Sequence, residues 1–381
     1  MILSDSPEFR ALKYGQYLAQ TNRNPICLSS VFIDPRLLPI KKIEKTILKL
    51  AKSHRLSKSN DPQGNDRLRI EIAKRLKKAS IGVEPEELIL THGSQQAIDL
   101  VTRAMTGRVV ATEDPPYFLA RSLFEVNQKS MVGLPVCPFT GVDKKKWLKQ
   151  IETKKPALVY LTSRFQNPSG YSYTEFELQW ICEQSAANHF RILEDDWASD
   201  MMSSRTNHKS LRQRMGSSVF YMNSFTKKLF PGLRVGYLVA NKASLEPLMA
   251  VKRASTSSVS GILEQVLCEL MVSGDYDEHL AELQVQVQKR YEASVEALEK
   301  MKIRLGRREI EFNFTRPMGG SVLWVGLSKK SDTEKLAHDL LKESVRILAA
   351  RGGFKLGFAF LSEREMKKAL QIVERLLLVA F

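Results

Sequence analysis

The chain has 381 residues, 43% of them hydrophobic, with 58 Lys and Arg against 42 Asp and Glu for a formal net charge of +16. That length predicts a large domain with a smaller satellite. No apolar run reaches the roughly 20 residues that span a bilayer, and the N-terminus has no signal-peptide apolar region; the four cysteines, Cys27, Cys137, Cys182 and Cys268, lack C-x-x-C spacing, which argues against a zinc site or a disulfide scaffold and predicts a cytoplasmic protein. The positive surplus is spread over stretches such as Lys41-Lys42-Ile43-Glu44-Lys45 and Lys144-Lys145-Lys146. Without C2H2 spacing, an RNP-like aromatic signature or a helix-turn-helix pattern, it reads as solvated helix faces, and nucleic acid is not expected as a partner of this chain alone.

Residues 1–25 read as an arm, with a helix over 8–20 broken by Thr21-Asn22-Arg23-Asn24-Pro25. Over 38–56 the apolar positions Ile40, Ile43, Ile47, Leu48 and Leu50 follow a helical period. The turn Asn60-Asp61-Pro62-Gln63-Gly64-Asn65 then feeds a helix over 68–78. Residues 87–100 read as strand, small-residue turn and helix. A helix starting at Gly93-Ser94 points free N–H groups at whatever lies above the strand, which suits a phosphate; a plain turn with a serine cap accounts for the same residues. His92 reads as strand-end packing, since no second histidine lies at metal spacing.

A strand over 108–112 ends in Glu113-Asp114-Pro115-Pro116-Tyr117, where two prolines fix a turn that either holds Tyr117 flat on a planar ligand or simply packs it. The next, over 157–162, leads to Phe165-Gln166-Asn167-Pro168-Ser169-Gly170, with Asn167 held by a tight turn and placed to donate a hydrogen bond to a ring oxygen. A third, over 190–193, runs into Glu194-Asp195-Asp196. Three acids at the end of an apolar strand are costly without water or cationic partners; they read either as a carboxylate that keeps a ring nitrogen protonated or as a metal-binding or helix-capping cluster. The strand over 217–222 delivers Ser224, Lys227 and, after Pro231-Gly232, Arg234, an amine, a hydroxyl and a guanidinium that can converge on one anionic ligand. An ordinary basic loop is the plainer reading. Residues 265–301 predict a long charged helix bridging two domains, followed by strands over 311–315 and 322–325 and a final helix from Glu363.

At least five apolar strands, each ending in a polar cluster and separated by helices, predict an alternating α/β sheet with its ligand at the strands' carboxyl ends. The expected division is 1–25 as arm, 26–260 as the large domain with its first part contributing to the small one, and 261–381 as bridging helix and small C-terminal domain.

Taken together, Asn60-Asp61-Pro62-Gln63-Gly64, Gly93-Ser94-Gln95-Gln96-Ala97, Glu113-Asp114-Pro115-Pro116-Tyr117, Asn167-Pro168-Ser169-Gly170, Glu194-Asp195-Asp196, Ser224-Phe225-Thr226-Lys227 with Pro231-Gly232-Leu233-Arg234, and Pro317-Met318-Gly319-Gly320 resemble the motifs of the class I/II aminotransferases, enzymes of pyridoxal 5'-phosphate (PLP) fold type I. The resemblance runs from about residue 26 to the C-terminus. Leu263-Glu264-Gln265 and Gly274-Asp275-Tyr276 to His279-Leu280 point to the branch of 2-aminoadipate aminotransferase-like enzymes and the aminotransferase domains of MocR-type regulators.

The resemblance implies an α/β fold with a mostly parallel seven-stranded sheet and a smaller α+β C-terminal domain, a homodimer, and transfer of an amino group from an amino acid or amine donor to a 2-oxo acid. It implies that Lys227 forms a Schiff base with PLP and shuttles the proton, and that Asp195 pairs with the pyridine nitrogen. Asn167 would bond the phenolic oxygen and border the substrate, Tyr117 would stack on the ring, and Gly93, Ser94, Gln95, Ser224 and Arg234 would hold the phosphate. Lys228 lies one residue too far from the serine for the family's lysine.

Three positions depart from the pattern. Lys355, in Phe354-Lys355-Leu356-Gly357-Phe358, stands where an arginine commonly clamps the substrate carboxylate, and lysine keeps the charge but loses the fork. Trp197 and Ala198 occupy the place of a tyrosine, and Ser59 that of an aromatic residue. Two other readings accompany the enzyme: an effector-sensing PLP domain of a MocR-type regulator, for which about 25 leading residues are too few for a winged helix, and a PLP fold with lost activity.

Overall fold

The computed structural model describes residues 25–53, 61–201, 209–256, 258–328 and 330–380. The expected helix over 8–20 and Ser59 lie outside them. Short apolar runs such as Leu88–Thr91, Leu158–Leu161 and Val219–Ser224 are buried along their whole length, as strands covered on both faces must be. They form a sheet in the order Leu88–Thr91, Gly236–Val239, Val219–Ser224, Arg191–Asp195, Leu158–Leu161, Val109–Asp114, Ser130–Cys137 and Gly141–Val142. Neighbours from Val219–Ser224 to Ser130–Cys137 pair in parallel, and Gly236–Val239 runs against both its neighbours. The seven expected strands are thus extended by an eighth, the two-residue hairpin partner Gly141–Val142 at the edge.

Successive side chains in a strand point to opposite faces, and that alternation builds two cores. Leu193, Tyr160 and Phe220 face a cluster with Ile98, Val101 and Phe124. Their neighbours Ile192, Val159 and Val219 face one with Trp147, Ile151 and Ile181. Helices therefore cover both faces, and every parallel strand delivers its carboxyl end to the same edge of the sandwich.

A second, antiparallel sheet has the order Phe312–Phe314, Val322–Leu327, Gly353–Gly357, Leu348–Ala350. The first described residues lie beside it: Ile26–Cys27 pairs in parallel with Val345–Arg346 as a separate two-stranded sheet, and Leu28 and Ile33 share a core with Leu340, Phe354 and Leu370. The final helix, Glu363–Ala380, packs along Asp275–Gly306.

The bridging helix expected over 265–301 is two helices, Gly261–Ser273 and Asp275–Gly306. Gly274 separates them at φ +85°, a left-handed conformation that ends a helix and that glycine adopts without a Cβ clash. Asp275, Asp277 and Glu278 then occupy the first turn of the 32-residue helix, where acids complement its dipole.

Candidate functional site

The carboxyl ends of five strands meet at one cavity, lined by Ser94, Tyr117, Asn167, Asp195, Trp197 and Lys227, with Tyr160 and Thr162 below. The three acids at the end of Arg191–Asp195 have separate fates. Glu194 accepts from the backbone N–H groups of Leu211 (2.9 Å) and Arg212 (2.8 Å) and from the Ser163 hydroxyl, so it caps the short helix Leu211–Met215. Asp196 is held by the Arg164 guanidinium and by the Tyr221 hydroxyl at 2.5 Å. Asp195 lies on the opposite face of the strand and turns to the cavity. Its Oδ2 accepts from the Tyr160 hydroxyl at 2.8 Å, whereas its buried Oδ1 has no partner. Burial pushes its pKa up, and Tyr160 and Lys227 oppose that.

Lys227 follows Val219–Ser224 and enters the same cavity, its Nζ 3.9 Å from the centre of the Trp197 ring and 5.7 Å from that of Tyr117. Desolvation lowers its pKa against the pull of Asp195, and Arg234 and Lys228 lower it further. Lys228 points the other way. It is buried, donates to Asn223 Oδ1 at 2.7 Å, pairs with Asp200 at 2.6 Å, and its carbonyl lies 2.7 Å from His279 Nε2. One of the two adjacent lysines is thus an anchor within the fold and the other faces the cavity.

At the far end of the cavity, the helix Gly93–Ala104 begins at a glycine with φ +72°. A Cβ built there would meet Ser224 Oγ, Thr226 Oγ1 and Arg234 Nη2, each at 3.5 Å. Two hydroxyls, a guanidinium and a helix N-terminus therefore surround one small space, the donor set of a phosphate. Arg234, itself at φ +49°, donates to the His92 carbonyl at 3.1 Å and to Gln95 Oε1 at 3.2 Å. The Gln95 side chain thus orients the arginine, while Ser94 borders the cavity. The buried Thr226 hydroxyl has no partner.

On the opposite wall, the turn after Leu158–Leu161 abuts the small sheet. A Cβ on Gly170 would lie 2.5 Å from the Val322 carbonyl, and the Thr315 hydroxyl donates to the Ser169 carbonyl at 3.1 Å. This brings Asn167 to Lys355, whose Nζ donates to Asn167 Oδ1 at 3.1 Å. Lys355 is 3% exposed, and burial lowers its pKa to about 7, helped by Lys227.

Of the ten candidate residues, Ser94, Tyr117, Asn167, Asp195 and Lys227 line this cavity, Lys355 bonds Asn167, and Gly93, Gln95, Ser224 and Arg234 gather at the start of the helix that carries Ser94. Four neighbours carry roles that sequence reasoning left unassigned. Thr226 lies in the Ser224-Phe225-Thr226-Lys227 motif, and its position two residues after Ser224, beside the same glycine, is the signal that marks it. Tyr160 is hidden in an apolar run, although a buried tyrosine hydroxyl needs a partner. Trp197, which stands where the family's pattern has a tyrosine, lines the cavity beside Lys227. Glu113, buried, accepts from the Tyr173 hydroxyl at 2.8 Å and the Thr162 N–H at 3.1 Å, tying two strand ends together; burial raises its pKa to about 8. Among the described residues no group of His, Cys, Asp and Glu is built to hold a metal ion.

Two polar atoms at the site have no hydrogen-bond partner: Asp195 Oδ1 asks for a donor, and Thr226 Oγ1 offers one beside the phosphate-like cradle. A group with a protonated ring nitrogen at one end, a phosphate at the other and an amine-reactive carbon near Lys227 satisfies both, and PLP is such a group.

A model of the family "Aminotransferase class I and II" matches residues 33–373. The chain is 28% identical over 318 residues to the 2-aminoadipate transaminase of Thermus thermophilus, covering 78% of this chain and 77% of that protein. It is 27% identical over 333 residues to the HTH-type transcriptional regulator YisV of Bacillus subtilis, covering 83% of this chain and 67% of the regulator. The crystal structure of an archaeal alanine:glyoxylate aminotransferase superposes with a TM-score of 0.90 over 99% of this chain and 96% of that one at 21% identity, a likeness of fold. With the family model covering most of its length, the chain belongs to the class I and II aminotransferases, PLP-dependent enzymes of fold type I.

Proposed function

We propose that within this family the chain transfers an amino group from an amino acid or amine donor to a 2-oxo acid, with Lys227 and Asp195 as its catalytic residues. The observation that carries the assignment is the unpartnered Asp195 Oδ1, buried across the cavity from the Gly93, Ser224, Thr226 and Arg234 cradle, with Lys227 facing the same space.

Bound PLP supplies an aldehyde for the amine and an electron-withdrawing pyridinium ring. Lys227 provides the amine; its lowered pKa leaves more of it neutral and able to bond or to take a proton. Asp195, oriented by Tyr160, would keep the ring nitrogen protonated with its free oxygen. Arg234, Ser224, Thr226 and the N–H groups at Gly93 and Ser94 would hold the phosphate, with Gln95 fixing Arg234. Because Asn167 Oδ1 accepts from Lys355, its amide nitrogen is free to donate to the phenolic oxygen. Tyr117 would pack against the ring, and Lys355, beside Asn167, would receive the donor's carboxylate.

Three further readings belong to the same proposal. The division into a large domain over 26–260 and a small domain over 261–381, joined by the first residues, agrees with the two sheets and with the packing of Leu28 and Ile33. A homodimer agrees with Ile40, Ile47 and Leu48, which stay exposed on one face of the helix Ile40–Lys52. A cytoplasmic location agrees with four cysteines that form no disulfide, and among the described residues no helix is long and apolar enough to cross a membrane.

A second reading, a ligand-sensing domain, draws on the regulators YisV and NorG among the relatives and on lysine at position 355. Absorbance of the PLP-loaded protein separates the two. Conversion of the bound cofactor to its pyridoxamine form by an amino donor, reversed by a 2-oxo acid, supports the enzyme. A spectrum that shifts on donor addition but never reaches that form, with any donor, supports the sensor.

A further inference from the structure

Lys227 has unusual neighbours for an amine. Its Nζ lies 3.9 Å from the centre of the Trp197 ring and 5.7 Å from that of Tyr117, and among the described residues it has neither a hydrogen-bond acceptor nor an ion-pair partner. The shorter distance places the amine above the face of the indole, because in the ring plane the indole's own hydrogens occupy that radius. Trp197 is buried and shares a core with Phe165, Tyr221 and Phe225, so the ring is fixed in the cavity wall.

Four charged groups face Nζ: Asp195 from the end of its strand, Arg234 from the cradle at Gly93, the adjacent Lys228, and Lys355 from the small sheet. Tyr117 and Tyr160 keep their protons, since burial holds both phenols well above their ordinary pKa. Desolvation disfavours the Lys227 ammonium, Asp195 favours it, and Arg234 and Lys228 disfavour it further. With PLP in place, Asp195 Oδ1 would be taken by the ring nitrogen and the Tyr117 face by the ring. The Trp197 face would stay open to the amine. An aromatic face attracts a cation, more strongly where water is excluded, and accepts no directed hydrogen bond from it, so it holds the charged amine and lets the neutral one go.

We propose that Trp197 is a positioning residue for Lys227, its indole face seating the ammonium that forms when the lysine takes a proton from the donor's α-carbon. The C–H bond breaks, its electron pair passes to the pyridinium ring of the bound cofactor, and the N–H bond forms on Nζ. The proposal rests on the reading of Lys227 as the amine that serves the cofactor, and it gives a role to the residue that stands where the family's pattern has a tyrosine.

The full chain, without added cofactor, is labelled with a trace of acetic anhydride across a range of pH, and acetylation of Lys227 is followed by mass analysis, since only the neutral amine reacts. Trp197→Leu is expected to lower the pH midpoint of Lys227 by about one pH unit, and Trp197→Phe by about half as much. The sign separates a seat from a plug: a ring that merely excludes water would, on removal, admit water to the ammonium and raise the midpoint. A midpoint that Trp197→Leu leaves unchanged or raises overturns the proposal. A second measurement needs no change at Trp197. The tryptophan fluorescence of the native chain is expected to show a transition at the Lys227 midpoint that Lys227→Met removes, and a titration that is the same in Lys227→Met overturns the proposal as well. In the PLP-loaded protein, Trp197→Leu is expected to lower kcat for donor conversion about tenfold with little change in KM, and Trp197→Phe to recover part of it. If the native protein converts no donor, the aminotransferase reading fails, and the labelling midpoints still decide whether Trp197 seats the lysine.

Discussion

The two walls of the site have been treated differently. The wall built from the large sheet presents the groups proposed for the cofactor: Gly93, Ser224, Thr226 and Arg234 around one small space, Asp195 with Tyr160, and Lys227, with Trp197 where the family's pattern has a tyrosine. The wall built from the small sheet departs from the family's pattern, with Lys355 in place of an arginine. The cofactor's groups are offered by strand ends and a helix N-terminus, which the fold fixes; the substrate's groups are offered by side chains on a separate sheet, which can change without disturbing the first set. A chain can therefore keep its chemistry while changing what it acts on.

Breaking the first wall has the largest expected effect. Lys227→Ala abolishes amino-donor turnover, a loss of about 10³-fold or more, while leaving the fold intact, as read by donor assay beside circular dichroism; Lys228, buried and paired with Asp200, does not take over. Asp195→Asn lowers turnover by about 10²- to 10⁴-fold with a much smaller change in PLP affinity, measured by stopped-flow conversion and by cofactor titration. Thr226→Ala removes one hydroxyl from the cradle and weakens PLP binding by about 1–3 kcal/mol, roughly 5- to 150-fold, visible in the titration alone.

The second wall yields a smaller, pH-dependent effect. Lys355, with a pKa near 7, carries its charge below that pH and loses it above. KM for carboxylate-bearing donors should therefore rise as pH passes from 6 to 8. Lys355→Arg, charged throughout, should flatten that rise and restore the two-pronged clamp. A KM equally pH-dependent in the variant would place the donor's carboxylate elsewhere.

Much of the first wall was legible in the sequence because each parallel strand is an apolar run that stops at a polar cluster, and the sheet brings those stops together. The division of labour within Glu194-Asp195-Asp196 was not. All three are acids at one strand end, and only the alternation of the strand, which sends Asp195 away from its two neighbours, separates cap, ion pair and cavity-facing carboxylate. The strand Ser130–Cys137 escaped because Gly133 and Pro135 interrupt its pattern; they are tolerated beside the sheet's edge. The helix break at Gly274 has a single glycine as its only local signal, between two segments that share a helical pattern.

The most direct test of the central claim is reduction of the PLP-loaded protein with borohydride, followed by digestion and mass analysis of the peptide that spans Lys227 and Lys228. The account predicts one phosphopyridoxyl group, carried by Lys227. A group on Lys228, or none on this peptide in a protein that binds PLP, would contradict it.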